Sequence, residues 1–460
     1  MENLKSNIKL GTQWSVTIDK LANEGHGISK IDGFTVFVIG GVPDDTVTVK
    51  IKKKKRRYAI ATIINFITPS PLRTTSPCPH FPSCGGCQII DINYTKQIEL
   101  KAHLFQTTYS HLFSKFNTDI RPIIPSHSPL FYRNKMEYAF GYNDHNTLIL
   151  GLKKRGHYDT IIETNHCQLQ DPITHKLLPF TQQFFQQTEL TAWDYHHNTG
   201  CLQHLMVRHS KSQNTLMLNL IVSENHPQIY QQFTQDITTS FPEIKSIFLT
   251  QSGTSSLIYG EPTITETIGS QSVGAHSFSI SPQSFFQTNS KQATVLYDEV
   301  KKAAQLKPSD ILYDLYCGTG TIGIYLASNA KAVYGIEEIP EAITNANHNA
   351  TKNNITNAHF FCGRVKNILK DIIEGKNTQI PKPDCIVIDP PRAGLVPKAL
   401  NRVLTLKSSK VVYVSCNPAT LLRDLQKFIE SGYHINYIQP VDMFPNTFHL
   451  EVVVQLNLKK

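Results

Sequence analysis

The sequence predicts an α/β protein: a doubly wound, mostly parallel sheet of Rossmann-like type in its C-terminal part, preceded by a small β-barrel and a central α+β segment. Three observations predict it. From 275 onward, apolar strands over 311–315, 332–336, 385–388 and 411–415 alternate with helical stretches, the pattern that parallel strands with crossover helices leave in a chain. Over 11–66, short period-two runs (WSVTIDKL, FTVFVIG, DTVTVKIKKK, YAIATIINFI) are separated by Gly, Pro and Asp turn signals, as in a small barrel. Between them, a helical stretch (TKQIELKAHLFQTTYSHLF) precedes extended runs such as LMVRHS and NTLMLNLIVS. At 460 residues the chain is too long for one ordinary domain, and these signals divide it at 1–68, 69–274 and 275–460.

Charge bears on the partner. The balance of 45 Lys+Arg against 36 Asp+Glu gives +9, the sign expected of a protein that handles a polyanion. Lys50, Lys52, Lys53, Lys54, Lys55, Arg56 and Arg57 crowd the third predicted strand and the turn after it. Such a run is commonly a solvated face, but oligonucleotide-binding barrels use this arrangement to track phosphates. No window has the apolar length of a spanning helix, and MENLKSNIKLGTQW lacks the apolar run of a signal peptide. The expectation is a cytoplasmic protein with no membrane contact, no obligate protein partner, and a monomeric state.

A nucleoside site is expected at the first strand of the sheet. ILYDLY runs into CGTGTIG over 317–323, where Gly318 and Gly320 let backbone approach a ligand at a strand-to-helix turn. The next strand ends at Glu337, placed to accept ribose hydroxyls. Asp314 precedes the turn, and an acid there repels a pyrophosphate but suits a sulfonium or amino-acid group. S-adenosylmethionine therefore fits better than NAD.

The chemistry is expected at the same sheet edge. IDPPRAGL places Asp389 there, and YVSCNPATLLRDL places Cys416 at the end of the neighbouring strand, with Asn417 and Pro418 interrupting it. A cysteine after an apolar strand is commonly core filler; its coincidence with Asp389 and the Asn-Pro break selects the functional reading. Glu451, in FPNTFHLEVVVQLNL, begins the last strand and could remove a proton as general base.

FFQTN, DLYCGTG, IDPPRAGL, VSCNPATLLRDL and the terminal HLE together resemble the RNA uridine-5-methyltransferases, and specifically the 23S ribosomal RNA branch that carries an iron-sulfur cluster and an N-terminal TRAM domain. The resemblance implies S-adenosylmethionine-dependent methylation of a 23S uridine at C5, with Cys416 as covalent nucleophile and Glu451 as base. It also implies that Gln287, Tyr316, Thr321, Glu337, Arg364 and Asp389 contact the cofactor. The chain departs from the family pattern at Tyr316, where phenylalanine is frequent, at Thr321, where asparagine is frequent, and at Arg364, where a short polar or acidic group is usual.

Cys78, Cys84 and Cys87 form C-x5-C-x2-C around Gly85-Gly86, and Cys167 in TNHCQLQ could add a fourth thiolate. Spacing leaves zinc and [4Fe-4S] both open; the family resemblance implies the iron-sulfur cluster, in a structural role. Cys201, Cys362 and Cys385 are expected to be small core residues. Two rival functions fit these residues less well. An RNA cytosine-5-methyltransferase typically carries a second cysteine after Asp-Ala-Pro, where this chain has Asp-Pro-Pro-Arg. An inactive RNA-binding assembly factor is opposed by the joint presence of Cys416, Asp389, Glu337 and Glu451.

Overall fold

A computed structural model of the chain describes residues 8–22, 25–116, 118–157, 159–270 and 274–459. The first seven residues, on which part of the signal-peptide expectation falls, lie outside the described residues. The chain forms two compact units: Met1–Pro82, Cys87–His111 and Phe444–Phe448 make one, and Ser83–Gly86, Leu112–Met443 and His449–Lys460 the other. No helix among the described residues is long and apolar enough to cross a membrane.

The smaller unit carries a six-stranded sheet, ordered Gln13–Thr17, Thr46–Lys54, Tyr58–Thr68, Phe34–Ile39, Gly27–Ile31, Lys20–Leu21. Period-two alternation turns Val36, Val38, Val47, Val49, Ala59 and Ala61 inward, where all are fully buried. The run expected as one strand, WSVTIDKL, is broken at Ile18, whose N–H leaves the ladder to donate to Asp45 O at 2.8 Å. The basic run falls, as expected, on the end of a strand and the turn after it. The strand ends at Lys54, a register shift falls between Ile51 and Lys53, and Lys55 N–H donates to Tyr58 O at 2.8 Å. Lys52, Lys53, Lys54, Lys55, Arg56 and Arg57 are therefore the exposed tip of a hairpin rather than one face of a continuing strand.

Below the barrel, Arg73 is held between Asp45 and Asp91. The Gln97 side chain donates to Ile89 O, Ile92 O and Asn446 Oδ1 at 3.0, 2.9 and 3.0 Å, and accepts from Asn446 N–H at 2.9 Å. A single buried amide thus fastens the late segment 444–448 into the unit.

In the larger unit, a seven-stranded sheet is ordered Ile161–Glu163, Leu148–Lys153, Lys135–Tyr142, Leu202–Ser210, Thr215–Val222, Ile244–Gln251, Thr254–Gly260. The catalytic sheet is ordered Ala358–Cys362, Ala332–Glu337, Ile311–Leu315, Cys385–Ile388, Lys410–Ser415, Glu451–Leu458, Tyr433–Val441, Asp119–Ile120. Its first five strands are parallel, and Glu451–Leu458 enters antiparallel to Lys410–Ser415. Ile386, Val387, Ile388, Val411, Val412 and Val414 are fully buried, as expected where helices cover both faces of a parallel sheet. Strand order reverses between Ile311–Leu315 and Cys385–Ile388. That switch point opens a crevice at the carboxyl ends of the strands.

Candidate active site

The crevice is built from the loops that follow these strands. After Ile311–Leu315 the backbone turns sharply, with Tyr316, Gly318 and Gly320 at φ of 65°, 54° and 77°. A Cβ on Gly320 would meet the Phe360 ring at 2.7 Å, whereas one on Gly318 would meet open space. Gly320 therefore serves packing, and Gly318 leaves room for a ligand against the backbone. Asp314 lies beneath, fully buried; its Oδ2 accepts the Gly323 N–H at 2.8 Å, while its Oδ1 has no partner among the described residues.

The Glu337 carboxylate ends the adjacent strand and is oriented by backbone. It accepts from Gly318 N–H at 3.2 Å, Glu338 N–H at 2.8 Å and Ile339 N–H at 3.1 Å. An oriented carboxylate, an open glycine cradle and an unpartnered buried oxygen are features that fit a nucleoside cofactor with a cationic group. Thr321 starts the following helix, Thr321–Leu326, and shares a 3.0 Å hydrogen bond with the Tyr297 hydroxyl. Arg364 precedes the helix Val365–Ile373 and faces the exposed Glu338 carboxylate at 3.3 Å. Gln287 is buried, and its carbonyl accepts from Asn134 Nδ2 at 2.9 Å.

At the other side of the switch point, Asp389, Cys416 and Glu451 converge. Cys416 follows Lys410–Ser415, and Glu451 opens the antiparallel neighbour, with Ser415 paired to Val452. Burial pushes the Cys416 thiol up to about 11, reinforced by Glu451 and Asp389 and opposed by Arg392. Burial likewise raises the Glu451 carboxyl well above its usual range, with Asp389 adding to it and Arg392 countering. Withdrawal from water pushes Asp389 up to about 7. All three groups are thus shifted toward their protonated forms, with Arg392 opposing the shift at Cys416 and Glu451.

Asp314 is also pushed up to about 7, first by burial and then by Asp389 and Glu337, against the Gly323 hydrogen bond. Its folded value exceeds the ordinary 3.8, so the stability it contributes is present at low pH and is lost as pH rises through 7. Asp314→Asn removes that titration. The variant should gain about 2 kcal/mol on wild type between pH 5 and pH 8, measured as urea midpoints at the two pH values; a pH-independent difference would contradict the burial argument.

Several supporting roles escaped sequence reading. Asn417 caps the helix Pro418–Glu430 through Ala419 N–H at 3.1 Å and donates through Nδ2 to Arg392 O at 2.9 Å. Asp424, fully buried, accepts from Leu395 N–H at 2.9 Å and from the Tyr413 hydroxyl at 2.7 Å. Arg423 donates to Ala393 O and Leu395 O at 3.2 and 3.0 Å. These bonds tie the Asp-Pro-Pro-Arg loop to the Cys416 loop. The Arg-Asp pair of LLRDL was visible, but nothing in its spacing says that it holds another loop's backbone.

The four-thiolate expectation is not met by the geometry: no group of three or more His, Cys, Asp or Glu among the described residues is set to hold a metal ion. Cys78 and Cys87 belong to the smaller unit and Cys84 and Cys167 to the larger. Cys84 and Cys167 each accept a backbone N–H at sulfur, from Gly86 at 3.4 Å and Leu169 at 3.5 Å. Cys201 and Cys385 are buried as expected, whereas Cys362 is exposed, because its strand forms the edge of the catalytic sheet.

Comparison with known proteins agrees with this geometry. Residues 93–459 match the tRNA (Uracil-5-)-methyltransferase family, and residues 9–64 match the TRAM domain. An uncharacterized RNA methyltransferase of Bacillus cereus is 35% identical, with 96% of each chain covered. One from Staphylococcus aureus is 34% identical over 99% of each. Among solved structures, the Pyrococcus abyssi tRNA (uracil-54, C5)-methyltransferase in complex with S-adenosyl-L-homocysteine has a TM-score of 0.76 and 27% identity, covering 96% of this chain and 99% of that one. The chain belongs to the tRNA (uracil-5-)-methyltransferase family of S-adenosylmethionine-dependent RNA methyltransferases.

Proposed function

We propose that the protein methylates C5 of a specific uridine in 23S ribosomal RNA, through a covalent bond between Cys416 and C6 of the base. The observation that carries the reading is the meeting of Cys416, Glu451 and Asp389 at one end of the sheet, beside the Glu337 and Gly318 crevice. S-adenosylmethionine, when bound, supplies the electrophilic methyl group and a positive charge that favours ionisation of neighbouring acids. Asp314, Tyr316, Glu337 and Asp389 would hold it, with Gln287, Thr321 and Arg364 as further contacts by family resemblance.

Uracil C5 alone is a poor nucleophile. Addition of the Cys416 thiolate at C6 turns the ring into an enolate that is nucleophilic at C5. After methylation, Glu451 takes the C5 proton, the C5–C6 double bond re-forms, and the sulfur leaves. Arg392 favours the ionised forms of both Cys416 and Glu451. The target base must be unstacked to reach the site, which loops and bulges of RNA allow at low cost.

The substrate is tested by radiolabelled methyl incorporation into unmodified 23S RNA and tRNA transcripts, followed by mapping of 5-methyluridine. Incorporation confined to 23S RNA is expected. The second reading, a tRNA substrate, is favoured by the likeness over 96% of the chain to an enzyme named for uracil-54 of tRNA, and tRNA labelling alone would replace the first. Label on cytidine would replace both.

The barrel supplies sequence-tolerant affinity in this reading. Replacing Lys53, Lys55 and Arg57 by Ala should weaken all RNAs alike and reduce the salt slope by about two, from ~0.7 per phosphate on a single strand. The rate at saturating RNA should hold, since such contacts stabilise ground and transition states equally. A fall in that rate with unchanged affinity would place the hairpin tip in the chemical step.

An iron-sulfur cluster on Cys78, Cys84, Cys87 and Cys167 rests on the C-x5-C-x2-C pattern and the family resemblance. Anaerobically purified protein should then be brown, with about four irons per chain. One zinc and no iron would remove the cluster and keep the thiolate set.

A further inference from the structure

The segment that carries Gln287 has no regular structure. Residues 281–289 run as bends and irregular backbone between the strand Gly274–Ile280 and the helix Ser290–Ala304, yet Ser284, Phe286, Gln287 and Asn289 within them are buried. Buried backbone outside a ladder must find its hydrogen bonds elsewhere, and here side chains of other elements supply them. Arg208 donates through Nη2 to Ser284 O at 2.8 Å. Asn134, at the entry to the strand Lys135–Tyr142, supplies others. Its N–H donates to Thr288 O at 2.7 Å, and its Nδ2 donates both to Gln287 O at 2.9 Å and to Ser290 Oγ at 2.8 Å. One residue therefore meets the two carbonyls that follow the Gln287 side chain and the first residue of the helix.

The direction of these bonds is fixed from their far end. Ser290 Oγ lies 3.0 Å from Glu266 Oε2, and the same carboxylate accepts Lys211 N–H at 2.9 Å, Ser212 N–H at 3.1 Å and Thr267 N–H at 3.0 Å. A carboxylate only accepts, so the Ser290 hydroxyl gives its proton to Glu266 and accepts from Asn134. A backbone carbonyl also only accepts, so both hydrogens of the Asn134 amide are committed. Its Oδ1, which has no partner among the described residues, is the end turned away. Asn134 is only 2% exposed, so water does not replace either bond, and a carboxylate of the same shape could make neither.

On the other side of Gln287 the chain is held as firmly. Asn289 caps the helix by accepting Gln292 N–H at 3.2 Å, and its Nδ2 donates to Met443 O at 3.1 Å. The Gln287 side chain itself, though buried, makes no hydrogen bond among the described residues. Backbone fixed on both sides of a free amide is the arrangement of a ligand contact whose supporting groups are set before the ligand arrives.

We propose that Asn134 is the positioning residue for Gln287, fixing the backbone over 287–290 so that the free amide meets S-adenosylmethionine. The inference rests on the reading of Gln287 as a cofactor contact. Asn134 acts through the backbone and needs no contact with cofactor or RNA. Ordering the irregular segment during folding spares cofactor binding the entropy of ordering it.

The test is a double-mutant cycle on the full-length protein. Methyl transfer is measured against S-adenosylmethionine concentration for Asn134→Ala, Gln287→Ala and the double variant, on whichever transcript, 23S RNA or tRNA, the wild type labels. Asn134→Ala should raise KM for the cofactor about tenfold, the scale of a hydrogen bond lost at a buried group. Its kcat should stay within about twofold, since a contact made equally in ground and transition states enters KM alone. The double variant should match Gln287→Ala within about twofold, because Asn134 then has nothing left to position. Additive effects in the double variant, or wild-type KM in Asn134→Ala, overturn the proposal; a residue that only supports the fold would lower the urea midpoint without this coupling. Wild-type kinetics in Gln287→Ala overturn it as well, since there would be no contact to place. If Asn134→Ala does not fold, the isosteric Asn134→Asp carries the same cycle. Wild-type protein that methylates neither RNA removes the proposed function alone, and the cycle, read instead as the Kd of S-adenosylhomocysteine by calorimetry, still decides for or against Asn134.

Discussion

Cys416→Ala is expected to abolish methyl transfer, leaving less than about a hundredth of the wild-type rate, because no other group can add to C6. RNA and S-adenosylhomocysteine should still bind. The half-buried thiol lies just beyond the strand, and the Asn417 cap and its bond to Arg392 O do not use it. With RNA carrying 5-fluorouridine at the target, wild-type protein should give a denaturant-stable protein–RNA band, since fluorine cannot leave C5 as a proton does. The alanine variant should give none. A variant that keeps a tenth of the rate, or wild-type protein that turns over without trapping the fluorinated RNA, would remove the covalent route.

Glu451→Gln should have an effect of similar size but of opposite appearance on a gel. The amide keeps the shape of the buried carboxyl and cannot accept the C5 proton, so addition and methylation can proceed while elimination stalls. Turnover should fall by about 10²–10⁴, the usual contribution of a positioned general base. Methyl label should instead collect in a protein–RNA adduct with ordinary uridine. If Asp389→Asn accumulates that adduct and Glu451→Gln does not, the base is Asp389, whose carboxyl neighbours both Cys416 and Glu451.

Legibility of the fold followed burial. Ile311–Leu315, Cys385–Ile388 and Lys410–Ser415 are central strands covered on both faces, so they read as unbroken apolar runs. Ala358–Cys362 was missed because it is an edge strand without a fully buried residue, and the same edge exposes Cys362. In the barrel, GISKI was missed as a strand because a glycine, a serine and a lysine dilute its alternation, although every second residue is buried. The placement of Cys416, Asp389, Glu337 and Glu451 at strand ends was legible because each adjoins an apolar run within a distinctive local motif. Asp424, Arg423 and Asn417 were not legible as supports, since their partners are backbone atoms of 392–395, and a sequence does not display which carbonyl a side chain will meet. Asn134 hid for the same reason: its amide meets the carbonyl of Gln287, 153 positions away.

The Gln97–Asn446 clasp bears on how the molecule can be made. Because 444–448 belongs to the smaller unit, whereas the strand starting at Glu451 belongs to the larger, neither unit is a continuous stretch of polypeptide. A ribosome building the protein from its amino end must therefore emit nearly all of the chain before the first unit obtains its last piece, and until then Gln97 lacks the Asn446 partner. A single cut cannot release either unit whole, and a chain stopped before 444 would leave the barrel side incomplete as well as removing the proposed base.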